Sequence, residues 1–191
     1  MMQETKLIVG LGTGRCGTRS LTRLLSLQQG VNVKHERKPA LSWDNERDPG
    51  LHLRCGQEVD CDVFADVGFY YLPHVERLRE EFSGITFVCL QRGREQTIES
   101  FCKHQARGRN WFDRHGSNWS RSFPVITGGC FAEQVGRYWD MYYERANELV
   151  GDDFQVYPTS ALSDARSQQI LNFCGFESPV VEAVHVGAGA P

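Results

Sequence analysis

The chain has 191 residues, 40% of them apolar and 24% charged, enough to bury one sizeable core and too ordinary in composition for a disordered or fibrous protein. Its 21 Lys and Arg against 24 Asp and Glu leave a net charge of -3, which argues against a general polyanion surface, so no nucleic-acid partner is expected. The charge is uneven: residues 15–38 carry six basic side chains against Glu36 alone and 92–121 carry seven against three acids, whereas 122–191 carry three against nine. Two basic segments on a mildly acidic chain point to a local anion site. No run approaches the roughly 20 apolar residues that span a bilayer, and residues 7–11 are too short for a signal-peptide core, so a soluble, cytoplasmic protein without stable membrane insertion is expected. The seven cysteines are scattered without a CxxC pair and the six histidines lack ligand spacing, so neither disulfides nor a metal are expected.

In chain order, residues 6–12 form a short apolar run ending in glycines, and 20–27 place Leu at 21, 24, 25 and 27, which reads as strand, tight loop and helix. Gly30 suits a helix C-cap, a second strand begins at Val31, and the polar stretch 37–60 with Pro39, Pro49 and Gly50 reads as loop. A buried strand over 61–67 and a helix over 72–82 follow. The clearest strand is 85–91, rich in β-branched residues, with a helix from about 95 to 105. Residues 106–129 lack apolar periodicity and predict a long loop; 131–150 predict the longest helix, 154–157 a last strand and 164–174 a last helix. Alternating strands and helices in one domain over 1–191 predict a three-layer α/β fold: a central parallel sheet with helices on both faces.

Between the first strand and first helix lies Gly10-Leu-Gly-Thr-Gly-Arg-Cys-Gly-Thr-Arg-Ser20. Glycines at such a junction let the backbone turn tightly, and the helix start binds an anion through its N–H groups and dipole. Arg15, Thr18, Arg19 and Ser20 add donors where phosphate oxygens would sit. Three ligand classes compete. Gly12, Gly14 and Gly17 satisfy the dinucleotide fingerprint GxGxxG, with Glu36 placed 19 residues beyond Gly17 as the ribose-binding acid, which keeps an NAD(P)-dependent oxidoreductase open. A Walker loop for ATP or GTP fails, because Thr18 and Arg19 stand where Lys and Ser/Thr are required.

The third class comes from a resemblance. The segment Gly12-Thr-Gly-Arg-Cys-Gly-Thr-Arg-Ser-Leu21 resembles the 5′-phosphosulfate loop of sulfotransferases, which use 3′-phosphoadenosine 5′-phosphosulfate (PAPS) as sulfuryl donor. A second anion site at a neighbouring strand end is then implied for the 3′-phosphate, and Arg92 after the best strand, with Ser100 eight residues later, resembles that motif. Arg supplies a bidentate charged fork and Ser a directional hydroxyl. Tyr138, Trp139, Tyr142 and Tyr143 resemble the family's long aromatic helix, although such a stripe is more often core than ligand platform. The resemblance implies a P-loop-like fold, PAPS as donor with adenosine 3′,5′-bisphosphate (PAP) as product, and a small-molecule or saccharide hydroxyl as acceptor. The cofactor contacts it implies are Gly14, Arg15, Cys16, Gly17, Thr18, Arg19, Ser20, Arg92 and Ser100. In the family a Glu or His serves as general base; Glu36 and then His35, at the end of the second strand, are the first choices, Asp66 a further one, and Arg15 shares in catalysis. A loop over 103–121 with Arg107, Arg109, Trp111, His115 and Trp119 could close over nucleotide or acceptor. A non-catalytic nucleotide-binding module is the remaining alternative.

Overall fold

Short, nearly continuous apolar runs build the centre of a five-stranded sheet, because both faces of each central strand must find cover. The structure, a computed structural model, describes residues 5–36, 41–43, 48–105, 112, 120–163, 166–177 and 179–181. Strands β1 (Lys6–Leu11), β2 (Val31–His35), β3 (Val63–Val67), β4 (Thr86–Gln91) and β5 (Phe154–Pro158) lie in the order β2-β3-β1-β4-β5, all parallel. Along β1 the side chains part by parity: Leu7, Val9 and Leu11 join one core, Ile8 the other. The first core packs against α2 (Leu51–Gln57), α3 (Val75–Glu81), α4 (Arg94–Gln105) and α5 (Phe131–Glu148), and the second against α1 (Thr18–Ser26) and α6 (Ser167–Phe173). This is the expected three-layer α/β architecture.

Strand order carries functional information. β1 is flanked by β3 and β4, so the chain's direction of travel across the sheet reverses there, and the crevice beyond the C-terminal ends of these strands is where open α/β sheets bind ligands. The end of β1 leads into the glycine loop, that of β4 into Arg92, and that of β2 into Glu36. In the dinucleotide-binding order 3-2-1-4-5-6, the second strand lies beside the first and brings its acid to the ribose. Here β3 separates β2 from β1, so Glu36 is one strand further out than that role requires.

Local expectations needed correction in four places. The stretch read as loop over 37–60 contains α2, which buries only Leu53 and Gly56 and therefore shows no periodicity; Asp48 Oδ1 accepts the Gly50 N–H at 3.0 Å just before it. The helix read over 72–82 is a 3₁₀ segment, Phe69–His74, followed by α3, since Pro73 has no N–H to continue an α-helical ladder. Gly30 does not cap α1, which ends at Ser26; its left-handed φ of 73° turns the chain into β2. In the long loop, Phe112 and Phe123 are core residues, whereas Arg107, Arg109, Trp111, His115 and Trp119 lie outside the described residues. Among the described residues no helix is long and apolar enough to cross a membrane.

Gly56 lets α2 seat on the sheet, because a Cβ there would lie 2.2 Å from the Phe64 ring. On an unpacked helix, Gly→Ala gains about 1 kcal/mol of propensity. Here overpacking of about 1–3 kcal/mol opposes that gain. Gly56→Ala is therefore expected to lower the urea midpoint rather than raise it.

Candidate functional site

The crevice is built from the glycine loop. At Gly12 the chain leaves β1 with φ 144°, and a Cβ would stand 2.3 Å from Cys16 Sγ and 2.8 Å from the Leu90 carbonyl oxygen, so glycine alone fits. The Gly14 N–H donates to Gly12 O at 2.8 Å and tightens the turn. Gly17, with φ 100°, occupies the N-cap of α1, which has neither a side-chain cap nor an acid in its first turn. The positive end of the helix is thus not neutralised by its own first turn. Arg19 is exposed and Ser20 half-exposed on that first turn, beside the loop.

Two of the predicted site residues sit in strained backbone. Arg15, with φ 56°, and Glu36, with φ 48°, are the non-glycine residues with positive φ among those described. Such conformations cost about 1–3 kcal/mol each and persist where the surroundings impose them. Arg15 is held from two sides: its Nε donates to Ser100 Oγ at 3.2 Å, and Arg92 Nη1 donates to its carbonyl oxygen at 3.0 Å. The loop and the Arg92–Ser100 pair, 77 and 85 residues away in sequence, are thus in direct contact. Their guanidinium groups remain solvent-accessible, Arg15 exposed and Arg92 half-buried.

The third wall is the end of β2. His35 Nε2 lies 3.1 Å from Thr18 Oγ1, and burial, helped by the Arg19 guanidinium, pushes its imidazole down to about 4, so it is neutral at neutral pH. The Glu36 N–H donates to Val67 O at 2.9 Å, extending the β2–β3 ladder by one residue. Burial and then the Asp66 carboxylate push the Glu36 carboxyl up to about 7, while Arg15 and Arg19 pull in the opposite direction. Asp66 itself is fully buried and accepts a 2.7 Å hydrogen bond from Tyr71 Oη. It lies beneath the site, where it acts on Glu36 through charge.

Cys16 has a buried thiol, pushed up to about 11 by that burial, so this residue can offer a ligand only its backbone. Its carbonyl accepts from Thr159 Oγ1 at 2.7 Å, which ties the loop to the segment after β5. Sequence reasoning missed Thr159. It also missed how α5 serves the loop: Tyr142 Oη accepts the Gly12 N–H at 3.0 Å and Tyr138 Oη donates to Thr13 O at 3.2 Å. The aromatic spacing shows a buried helix face, but nothing in it indicates where three phenol oxygens point.

No protein-family model matches the chain, and no curated protein matches it in sequence. Solved structures do match in fold. A sulfotransferase from Alicyclobacillus acidocaldarius is 16% identical with a TM-score of 0.60, over 99% of this chain and 87% of that one. The sulfotransferase domain from the curacin biosynthetic pathway is 12% identical, TM-score 0.52, over 93% and 75%. A mouse sulfotransferase complexed with PAP is 9% identical, TM-score 0.51, over 94% of this chain and 62% of that one. Polyphosphate kinase 2 from Arthrobacter aurescens, at 11% identity and TM-score 0.51 over 97% and 73%, has the same layered sheet. The likeness to sulfotransferases drawn from the loop and the Arg92–Ser100 pair thus holds for the fold, which is shared with a polyphosphate kinase.

The state of Glu36 yields a signed prediction. Its carboxyl binds a proton more tightly folded than unfolded, so the stability it contributes is fully present below about pH 4.5 and lost as pH rises through about 7. Glu36→Gln mimics the protonated form. Urea unfolding should find the variant equal to wild type near the low end of this range and more stable by about 3 kcal/mol above its upper end. A gap that does not change with pH would mean a fully solvated carboxylate.

Proposed function

We propose that the protein is a sulfotransferase that moves a sulfuryl group from PAPS to an acceptor hydroxyl and releases PAP. The observation that carries this reading is the contact between the two anion-binding halves. Arg15 in the glycine loop reaches Ser100, and Arg92 reaches Arg15, so a 5′-phosphosulfate and a 3′-phosphate on one ribose would each meet a guanidinium and a hydroxyl. A nucleoside triphosphate makes no such demand for a second site. The fold neighbours agree with this assignment at the level of architecture, and one of them is a complex with PAP. Against kinase chemistry stands the absence of a Walker lysine, with Thr18 and Arg19 in the places of Lys and Ser/Thr. Against a dinucleotide stands the strand order that sets Glu36 one strand too far out.

The chemistry then distributes as follows. The acceptor oxygen attacks sulfur in line as the bond from sulfur to the bridging phosphate oxygen breaks, and the hydroxyl proton must leave. Glu36 takes that proton. Its carboxyl, raised to about 7, is a better proton acceptor than an ordinary carboxylate and is still substantially ionised at neutral pH. Arg15, the α1 N-terminus and Arg19 neutralise charge growing on the leaving group, a task that needs fixed positive groups. His35 has a lowered proton affinity and is bound to Thr18, which suits it to orienting that loop hydroxyl. Gly14, Gly17, Thr18 and Ser20 line the loop, with Cys16 contributing backbone only. The acceptor is a small molecule or saccharide bearing a hydroxyl.

Calorimetry with PAP, adenosine 5′-monophosphate, NAD and ATP tests the donor class. PAP is expected to bind and to raise the melting temperature, while strong binding of NAD or ATP without PAP would replace this reading. Arg92→Ala should cost PAP about 1.5–3 kcal/mol and adenosine 5′-monophosphate much less, since only PAP carries the 3′-phosphate. With an acceptor in hand, Glu36→Gln should bind PAP almost normally and lose turnover by about 10²–10⁴-fold. His35→Ala losing turnover while Glu36→Gln keeps it would make His35 the base.

A further inference from the structure

The longest helix meets the site from below with four aromatic side chains, and each of them ends in a hydrogen bond to backbone at a strand end. Tyr142 Oη accepts the Gly12 N–H at 3.0 Å and donates to Phe69 O at 3.0 Å, joining the end of β1 to the segment after β3. Tyr138 Oη donates to Thr13 O at 3.2 Å. Tyr143 Oη donates to Leu90 O at 2.7 Å, and Trp139 Nε1 donates to Arg92 O at 2.9 Å, so both grip the C-terminal end of β4. Tyr138 and Tyr142 share one ridge of α5 and serve the glycine loop, whereas Trp139 and Tyr143 share the next ridge and serve the exit of β4. The two ridges are locked by ring contacts, with centroids 5.6 Å apart for Tyr138–Tyr142 and 4.8 Å for Trp139–Tyr143.

We infer that this face of α5 is a positioning frame that sets the glycine loop and Arg92 at the spacing that one ligand with two anionic ends requires. The inference rests on the proposed function, in which the loop and Arg92 hold opposite ends of the same nucleotide. Core packing alone would call for rings. It would not call for three phenols and an indole N–H, each directed at main chain of the two anion-binding segments and bonded within 3.2 Å. The Tyr138 and Tyr142 rings are fully buried, so a hydroxyl bond lost there is not replaced by bulk water. The frame therefore acts twice: Tyr138 and Tyr142 shape the pocket for the 5′ end, and Trp139 fixes the direction in which Arg92 leaves β4.

Tyr142→Phe and Trp139→Phe separate this role from a merely structural one, because each keeps an aromatic ring and removes the polar group. The exchange rate of the Gly12 amide, which loses its acceptor in Tyr142→Phe, is expected to rise about tenfold while the Val9 amide in the centre of β1 keeps its rate. In titrations, Trp139→Phe is expected to weaken PAP about tenfold and adenosine 5′-monophosphate less than about twofold, whereas Tyr142→Phe weakens both by a similar factor of about ten. Gly12 exchange that is unchanged, or that rises only in step with Val9, overturns the frame. Equal losses for the two nucleotides in Trp139→Phe overturn the role given to that residue. The exchange measurement needs no ligand, so a wild-type protein that fails to bind PAP overturns the proposed donor while the Gly12 and Val9 rates still decide for or against the frame.

Discussion

A tight glycine loop must satisfy the polar groups it turns inward, where an unpaired donor or acceptor costs about 1–3 kcal/mol. In this protein the obligation falls on Gly12 and Thr13, and phenol groups of α5 meet it. Much of the site depends on that arrangement. From the bonded Gly12 the chain runs through the Gly14 turn and the left-handed Arg15 to Gly17, which starts α1 with an uncapped N-terminus. Since the same helix also bonds the carbonyls of Leu90 and Arg92, the glycine loop and the exit of β4 have one common support.

Electrostatics at the site follow from where the chain places a few charges. Glu36 lies between a buried carboxylate, Asp66, and two guanidinium groups, Arg15 and Arg19, and burial with Asp66 outweighs the arginines. The outcome is a carboxyl that exchanges its proton near neutrality. Its neighbour His35, one residue back on the strand, is driven the other way by burial and by Arg19, and stays neutral. Two adjacent residues with opposite shifts are a common way for one strand end to hold both a proton acceptor and a neutral hydrogen-bonding group.

The fold built on this parallel sheet resembles both sulfotransferases and a polyphosphate kinase, so architecture does not choose between sulfuryl and phosphoryl transfer. The proposed sulfuryl transfer rests on local chemistry: Thr18 and Arg19 in the places of the Walker Lys and Ser/Thr, and an Arg92–Ser100 pair beyond β4 that touches the loop. Both reactions need alignment and charge neutralisation, and differ in what the ends of the donor present to the protein.

How far the sequence alone reached depended on the range of the forces involved. The strands, the glycine junction and the helix over most of 131–150 were legible because apolar periodicity and glycine placement act over a few residues. The same local reading missed α2, with its single buried leucine, and the break at Pro73, where 3₁₀ and α spacings are nearly alike over one turn. Arg15, Glu36 and Arg92 could be picked out as charged residues at strand ends, but their states could not. The proton affinity of Glu36 comes from burial and then from Asp66, 30 residues away, and the hold on Arg15 from Ser100, 85 residues away. The α5 phenols show the limit most clearly: their spacing determined that one helix face would be buried, while only the packed tertiary structure decided which backbone groups their hydroxyls would meet, because hydrogen bonds are directional and apolar burial is not.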